Sequence, residues 1–221
     1  EISYHLHAAG EFARANGHRL TTHPGPFHVL GSPRLDVVEK SIIGLERHSE
    51  MFDIMGYKPS FENKINIHVG GSYGGDFVGT SKRWIAGWHR LSDNCKKRLV
   101  LENDDKPSMW STKMLYNYFH KEIGIPITFD YHHHRCYEDP MPEEDALRLA
   151  ASTWPKGIRQ LCHYSSAKKL HEDSSAIIRA HADYLYEYIE TYGMELDIEI
   201  EAKAKELALQ KYQKDFTLIY S

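Results

Sequence analysis

Short apolar runs alternate with amphipathic stretches along the whole chain, and each run closes on a histidine or a carboxylate or one residue past one. The runs are HRLTTH (18–23), KINIHV (64–69), RLVLEN (98–103), ITFDYH (127–132), IRQLCH (158–163) and LDIEIE (196–201). Between them, apolar residues recur with helical spacing over roughly 2–16, 33–56, 79–95, 108–124, 143–152, 174–192 and 202–214. Strands that alternate with helices of this length predict parallel βαβ units. Ser32-Pro33 and Ser108 are expected to open helices, Gly56 and Gly124 to follow helix ends, and Pro126 to precede a strand. The pattern predicts an α/β fold, a (β/α)8 TIM barrel with about six of its eight βα units in this chain. A doubly wound open sheet is the competing architecture, but no G-x-G-x-x-G follows a first strand. The length of 221 residues suits one domain over 1–221. The start at Glu1, with a first helix that lacks its strand, reads as an N-terminal truncation.

Composition narrows the classes. Hydrophobic residues make up 41% and charged residues 26%, values of a soluble globular protein. No apolar run approaches the ~20 residues that span a bilayer, so no membrane association and a cytoplasmic location are expected. Cys95, Cys136 and Cys162 are widely spaced and form no C-x-x-C pair, which argues for reduced thiols and against a disulfide framework or a thiolate zinc site. A net charge of -4 argues against a generally basic nucleic-acid binder, although bound divalent cations would add positive charge. The 15 histidines are the unusual feature.

Their placement is systematic. His23, His68, Glu102, Asp130, His163 and Glu201 stand at the ends of the six apolar runs. In a barrel the C-terminal strand ends converge on one face, where active sites are built. A single strand-end histidine more often caps a carbonyl, but six donors at equivalent places point to a shared metal cluster. Imidazole and carboxylate without thiolate suit zinc or manganese, and bridging carboxylates hold ions ~3.5–4 Å apart in sites that hydrolyse phosphodiesters. In TFDYHHHRC (128–136), Asp130 and His133 are three residues apart and can reach the same cluster, while His132 and His134 are expected to face solvent or substrate.

Collinear motifs add a resemblance. THPGPF (22–27), IHVGGSYGGD (67–76), LVLENDD (99–105), TFDYHHH (128–134), CHYSS (162–166), AHADYL (180–185) and IEAKAKELAL (200–209) together resemble the ultraviolet-damage endonucleases, barrels related to endonuclease IV. The resemblance implies a monomer that nicks damaged duplex DNA immediately 5′ to a distorting lesion, with two or three ions, manganese first and zinc or magnesium as alternatives. It implies His23, His68, Glu102, Asp130, His133, His163, His181 and Glu201 as metal ligands, with Glu102 bridging two ions and Glu102, His133 and Glu201 carrying the chemistry. His181, inside an expected helix, comes from the resemblance alone.

Two positions depart from the family pattern. Pro26 and Phe27 stand where the family has a Gln-Tyr pair that wedges into the duplex; both can still act as apolar wedges, without the amide. Leu161 stands two residues before His163, where the family often carries a metal-bridging lysine. Gly70, Gly71 and Tyr73 lie in a glycine-rich stretch whose amides could approach a phosphate or simply connect elements. Lys82, Arg83 and Lys203 are candidate backbone contacts, whereas Lys96, Lys97 and Arg98 read as a solvated turn. Three other readings stay open, namely an abasic-site endonuclease of the endonuclease IV type, a TIM-barrel sugar isomerase or epimerase, and a non-catalytic barrel that binds metal or damaged DNA.

Overall fold

The computed structural model describes residues 1–137 and 141–216. Its elements run α1 (Ile2–Ala15), β1 (Thr21–Thr22), α2 (Leu35–Ile54), β2 (Lys64–His68), α3 (Phe77–His89), α4 (Asp93–Lys96), β3 (Leu99–Glu102) and α5 (Thr112–Leu115). A π-helical turn (Tyr116–His120) and α6 (Lys121–Ile123) follow, then β4 (Ile127–Asp130), α7 (Tyr131–Cys136) and α8 (Glu143–Ala151). The chain ends with β5 (Leu161–Tyr164), α9 (Lys168–His171), β6 (Asp197–Ile200) and α10 (Glu206–Phe216). The strands pair in parallel in the order β1-β2-β3-β4-β5-β6, a curled sheet that makes about half to three-quarters of a barrel. Among the described residues, β1 and β6 do not pair with each other; Arg19, just before β1, reaches across to Asp197 of β6 and to the Arg159 carbonyl (3.1 Å).

Strand alternation sorts the residues into two layers. Ile65, Ile67, Leu99, Leu101, Ile127, Phe129, Cys162 and Tyr164 join the core between sheet and helices. There Trp84, Trp110 and Phe119 meet edge to face at 5.0–5.2 Å. The intervening residues face the other way. Val100 and Leu161 pack on Trp154 as a small apolar cluster at the inner layer, which is where the residue two before His163 belongs. Further toward the strand ends this inner face turns polar, with Asn66, Glu102, Asp130 and His163 all buried.

Several boundaries differ from the sequence expectation. Ser111, not Ser108, caps the helix before β4 by accepting from Met114 N, and α2 opens at Leu35 without a side-chain cap. Gly124 does end its helix, in the left-handed conformation (φ 69°). The expected strand 127–132 stops at Asp130, whose carboxylate accepts from His133 N (2.7 Å) and so caps α7. Arg98 is buried rather than solvated, donating to Asp53 (2.7 Å), to Ser49 Oγ (2.9 Å) and to the Tyr57 carbonyl (2.7 Å).

The largest correction concerns the expected helix over 174–192, which does not form. Its amides go to partners outside a helical ladder. Asp183 N and Tyr184 N donate to Glu172, Tyr186 N donates to Ser166 Oγ, and Ile189 N donates to the Tyr212 hydroxyl. An antiparallel bridge pairs His181 with Ala167. Side-chain acceptors thus replace the i to i−4 pattern that the apolar spacing suggested.

Candidate metal centre at the strand ends

The buried carboxylate of Glu102, at the end of β3, is the hub. Its Oε2 lies 3.2 Å from His23 Nε2 and 3.3 Å from His163 Nδ1, while Oε1 lies 3.2 Å from His133 Nδ1 and 3.6 Å from His68 Nε2. Asp130 Oδ2 is 3.7 Å from His133 Nδ1. His163 Nδ1 also faces Glu201 Oε1 at 3.3 Å, and Glu201 Oε2 is 3.6 Å from His181 Nδ1. All eight residues named from the sequence therefore gather in one mouth, seven from strand ends or the turn after β4 and His181 from the extended segment that replaces the expected helix.

Three overlapping sets of donor atoms each lie within 4.8 Å, namely His23-His163-Glu201, His23-His68-Glu102 and Glu102-Asp130-His163. His133 and His181 join through Glu102 and Glu201 rather than through a set of their own. The donors fit divalent ions on a further ground. Glu102 Oε1, Asp130 Oδ2 and His163 Nδ1 are buried without an aligned hydrogen-bond partner, a costly arrangement for polar atoms unless something positive sits among them. Oxygen and imidazole nitrogen without thiolate is a donor set for manganese, zinc or magnesium.

The electrostatics agree. Burial alone would raise the Glu102 carboxyl, but His163 and His68 beside it hold it well below the usual range. Burial would lower the imidazoles, yet Glu102 and Asp104 carry His68 up to about 9, and Asp130 and Glu102 carry His133 up to about 10. Asp130 goes the other way, its carboxyl raised by burial. Protons occupy, in effect, the places where cations would compensate the carboxylates.

Supporting residues that the sequence reading did not name complete the centre. Asn66, two residues before His68 on the inner face of β2, donates to Glu102 Oε2. Asn103 clamps the end of β4, donating to the Asp130 carbonyl (3.0 Å) and accepting from Asp130 N (2.8 Å). Its own carbonyl accepts from His133 Nδ1 (2.9 Å), the same ring nitrogen that faces Glu102 Oε1 and Asp130 Oδ2. Asp104 faces His68 Nδ1 at 3.1 Å, and Glu199 Oε2 faces His163 Nε2 at 3.3 Å. A period of two counted back from His68 and Glu201 would have found Asn66 and Glu199.

His132 and His134 are buried, not solvated. The short helix α7 turns His133 to the cluster, His132 onto His181 (ring centroids 5.2 Å) and His134 onto Phe129 (5.3 Å). Burial and the neighbouring His181 pull His132 down to about 4.

At the rim, Phe27 is 84% exposed and Pro26 is exposed beside it. Their loop is held from behind. His28 Nδ1 donates to the Gly25 carbonyl (3.0 Å), and the ring lies so close to Gly44 of α2 that a Cβ there would overlap it. Ser41 Oγ accepts from Val29 N (3.0 Å). Gly70 is buried with φ 91°, its missing Cβ making room for Val29, while Gly71 and Tyr73 are exposed. Arg83 is engaged internally, with Gly31 O (3.1 Å), Thr80 Oγ1 (3.0 Å) and the Tyr73 ring, which distinguishes it from the exposed Lys82 and Lys203.

Comparison with known proteins bears on the whole chain. Residues 1–220 match the sequence profile of the family described as UV-endonuclease UvdE. The chain is 37% identical over 228 residues to the UV-damage endonuclease of Neurospora crassa, covering 96% of this chain and 33% of that protein. It is 34% identical to the UV DNA damage endonuclease of Clostridium perfringens, covering 96% of this chain and 51% of that one. The chain thus spans about a third to a half of these relatives. The solved structure of SacUVDE superposes with a TM-score of 0.83 at 32% identity, covering 99% of this chain and 72% of that one. An L-ribulose 3-epimerase at 13% identity and TM-score 0.63 shares the fold alone. With the profile matched from end to end, the chain belongs to the UV-endonuclease UvdE family.

Proposed function

We propose that this chain carries the cation site of a DNA repair endonuclease, which hydrolyses a phosphodiester bond of duplex DNA on the 5′ side of an ultraviolet photoproduct or another distorting lesion. The observation that carries the reading is the convergence of histidines and carboxylates on buried Glu102, in a chain of this family. When bound, two or three divalent ions, manganese ahead of zinc or magnesium, would supply Lewis-acid stabilisation of the phosphate charge and ionise water near neutral pH.

In this reading Glu102, whose two oxygens face different histidines, would be shared between ions, and His23, His68, Asp130, His133, His163, His181 and Glu201 would be the residues that hold them. Asn66 and Asn103 fix Glu102, Asp130 and His133 before substrate arrives, so little reorganisation remains at the moment of reaction. Water adds to phosphorus and the bond to the 3′ oxygen breaks, leaving a 3′-hydroxyl and a 5′-phosphate. Pro26 and Phe27 enter a weakened base step, which costs least at a lesion that is already unstacked. Gly71, Tyr73 and Lys203 line the rim where a phosphate backbone would pass, and Gly70 holds that loop in place. The enzyme acts as a monomer in a compartment that holds DNA, the cytoplasm included; among the described residues no helix is long and apolar enough to cross a membrane.

The test is incision of end-labelled duplexes that carry one pyrimidine dimer, one abasic site or no lesion, with Mn²⁺ or EDTA. Manganese-dependent cutting 5′ to the dimer that Glu102→Gln abolishes supports the reading. Cutting of the abasic duplex alone would move the chain to the endonuclease IV type of substrate.

A further inference from the structure

His163 is the most enclosed imidazole of the centre, with no exposed side-chain surface, and it is flanked on both nitrogens. Nδ1 faces Glu102 Oε2 and Glu201 Oε1, each at 3.3 Å, so it points into the donor sets that can hold an ion. Nε2 faces away from them, toward Glu199 Oε2 at 3.3 Å. Asn66 Nδ2 is also near Nε2, at 3.5 Å, but that amide group is committed to Glu102 Oε2. The strand register makes the Glu199 contact a consequence of the fold. His163 of β5 pairs with Glu199 of β6, and both side chains point to the inner face. One position back on that face, Leu161 is packed in the apolar cluster with Val100 and Trp154 and offers no polar group to the ring.

A metal-bound imidazole keeps its orientation and tautomer when the other ring nitrogen donates to a carboxylate or carbonyl. We propose that Glu199 is such a positioning residue for His163, accepting Nε2–H, holding the Nδ1 lone pair toward Glu102 and Glu201, and thereby setting the affinity of the centre for a divalent cation. Glu199 is not a ligand in this proposal, and it touches neither substrate nor the reacting phosphate. The inference rests on the reading of the cluster as a cation site. Its carboxylate is 44% exposed on the side of the β1 and β6 edges, so replacing it removes little packing.

The experiment is Zn²⁺ and Mn²⁺ titration by calorimetry of the unaltered chain, Glu199→Leu and Glu199→Gln, with long-range ¹H–¹⁵N spectra of the histidine rings in the zinc-bound state. Loss of an outer-shell acceptor weakens metal binding by ~10–100-fold, which is the loss expected for Glu199→Leu. Glu199→Gln keeps an acceptor and is expected to bind more tightly than Glu199→Leu. In the unaltered chain His163 is expected to carry its proton on Nε2. Glu199→Leu binding within about twofold of the unaltered chain, or His163 protonated on Nδ1, overturns the assignment. If the unaltered chain itself binds neither ion, the cation reading falls instead, and the two failures are told apart.

Discussion

The centre has two unequal halves. Around β2 to β4 the carboxylates are buried and braced, and His68 and His133 beside them are 21% and 14% exposed. Glu102 and Asp130 are fully buried, Asn66 holds one and Asn103 the other, and Asn103 also orients His133. Around β1 and β6 the donors stand more open, with His23 31%, Glu201 26% and His181 23% exposed, and their support comes from loops and from an edge strand. The braced half is preorganised by the side-chain amides of Asn66 and Asn103, whereas the open half depends on an edge strand and a loop segment. A cation is therefore expected to be held first, and most tightly, on the Glu102-His68-Asp130 side.

The largest effect is Glu102→Gln, which removes the carboxylate that faces histidines of both halves; metal binding should fall beyond the ~100-fold range of supporting residues, read by calorimetry. Next is Asn103→Ala in the braced half. It leaves both the N–H and the carbonyl of Asp130 without their side-chain partner, and should cost about 2 kcal/mol of stability in denaturant titration as well as metal affinity.

A smaller effect concerns pH in the metal-free chain. Folding raises His68 to about 9 and His133 to about 10 from an ordinary 6.5, so their contribution is complete below pH 6.5 and is lost as pH rises through 9 to 10. Thermal stability without metal should therefore decline across that window, and Mn²⁺ should reverse the decline because cations displace those protons. The smallest effect belongs to the open half, where His181→Ala should reduce affinity less than the same change at His68. Equal losses at the two positions would remove the distinction between the halves.

The contrast also explains what was legible in the sequence. The braced half could be read because each apolar run ends abruptly on a single polar residue, and a parallel sheet brings such ends together. His133 was reachable because Asp130 lies three residues before it, although the capped helix α7, which separates the three histidines, was not foreseen. In the open half His23 and Glu201 were read by the same rule, whereas His181 was not, for a physical reason. From 174 to 192, isoleucines and tyrosines fall with helical spacing, but Glu172, Ser166 and Tyr212 take the amides, and that long-range capture leaves no local trace. Only resemblance supplied His181. Glu199 lay within reach of the two-residue period, and the register sets it against His163. Arg98 misled in the opposite way, since a basic triplet in a turn suggests solvent while its partners sit on α2 and just beyond it.

The rim separates along the same line. Phe27 is presented by a loop seated on α2, and the seat depends on the missing side chain of Gly44. Gly44→Ala should leave cation affinity unchanged while weakening binding to a dimer-containing duplex, measured by fluorescence anisotropy. A parallel loss of cation affinity would mean that loop and centre are not separable.

If the strand ends form one cation centre organised by Glu102, the ions themselves should be visible there. The most direct measurement is an anomalous difference map at the manganese edge from crystals soaked in Mn²⁺. Density is expected among Glu102, His23, His68, Asp130 and His163, with the strongest peak on the Glu102-His68-Asp130 side. Saturating Mn²⁺ with no density at Glu102, or with density only at surface carboxylates, would contradict it.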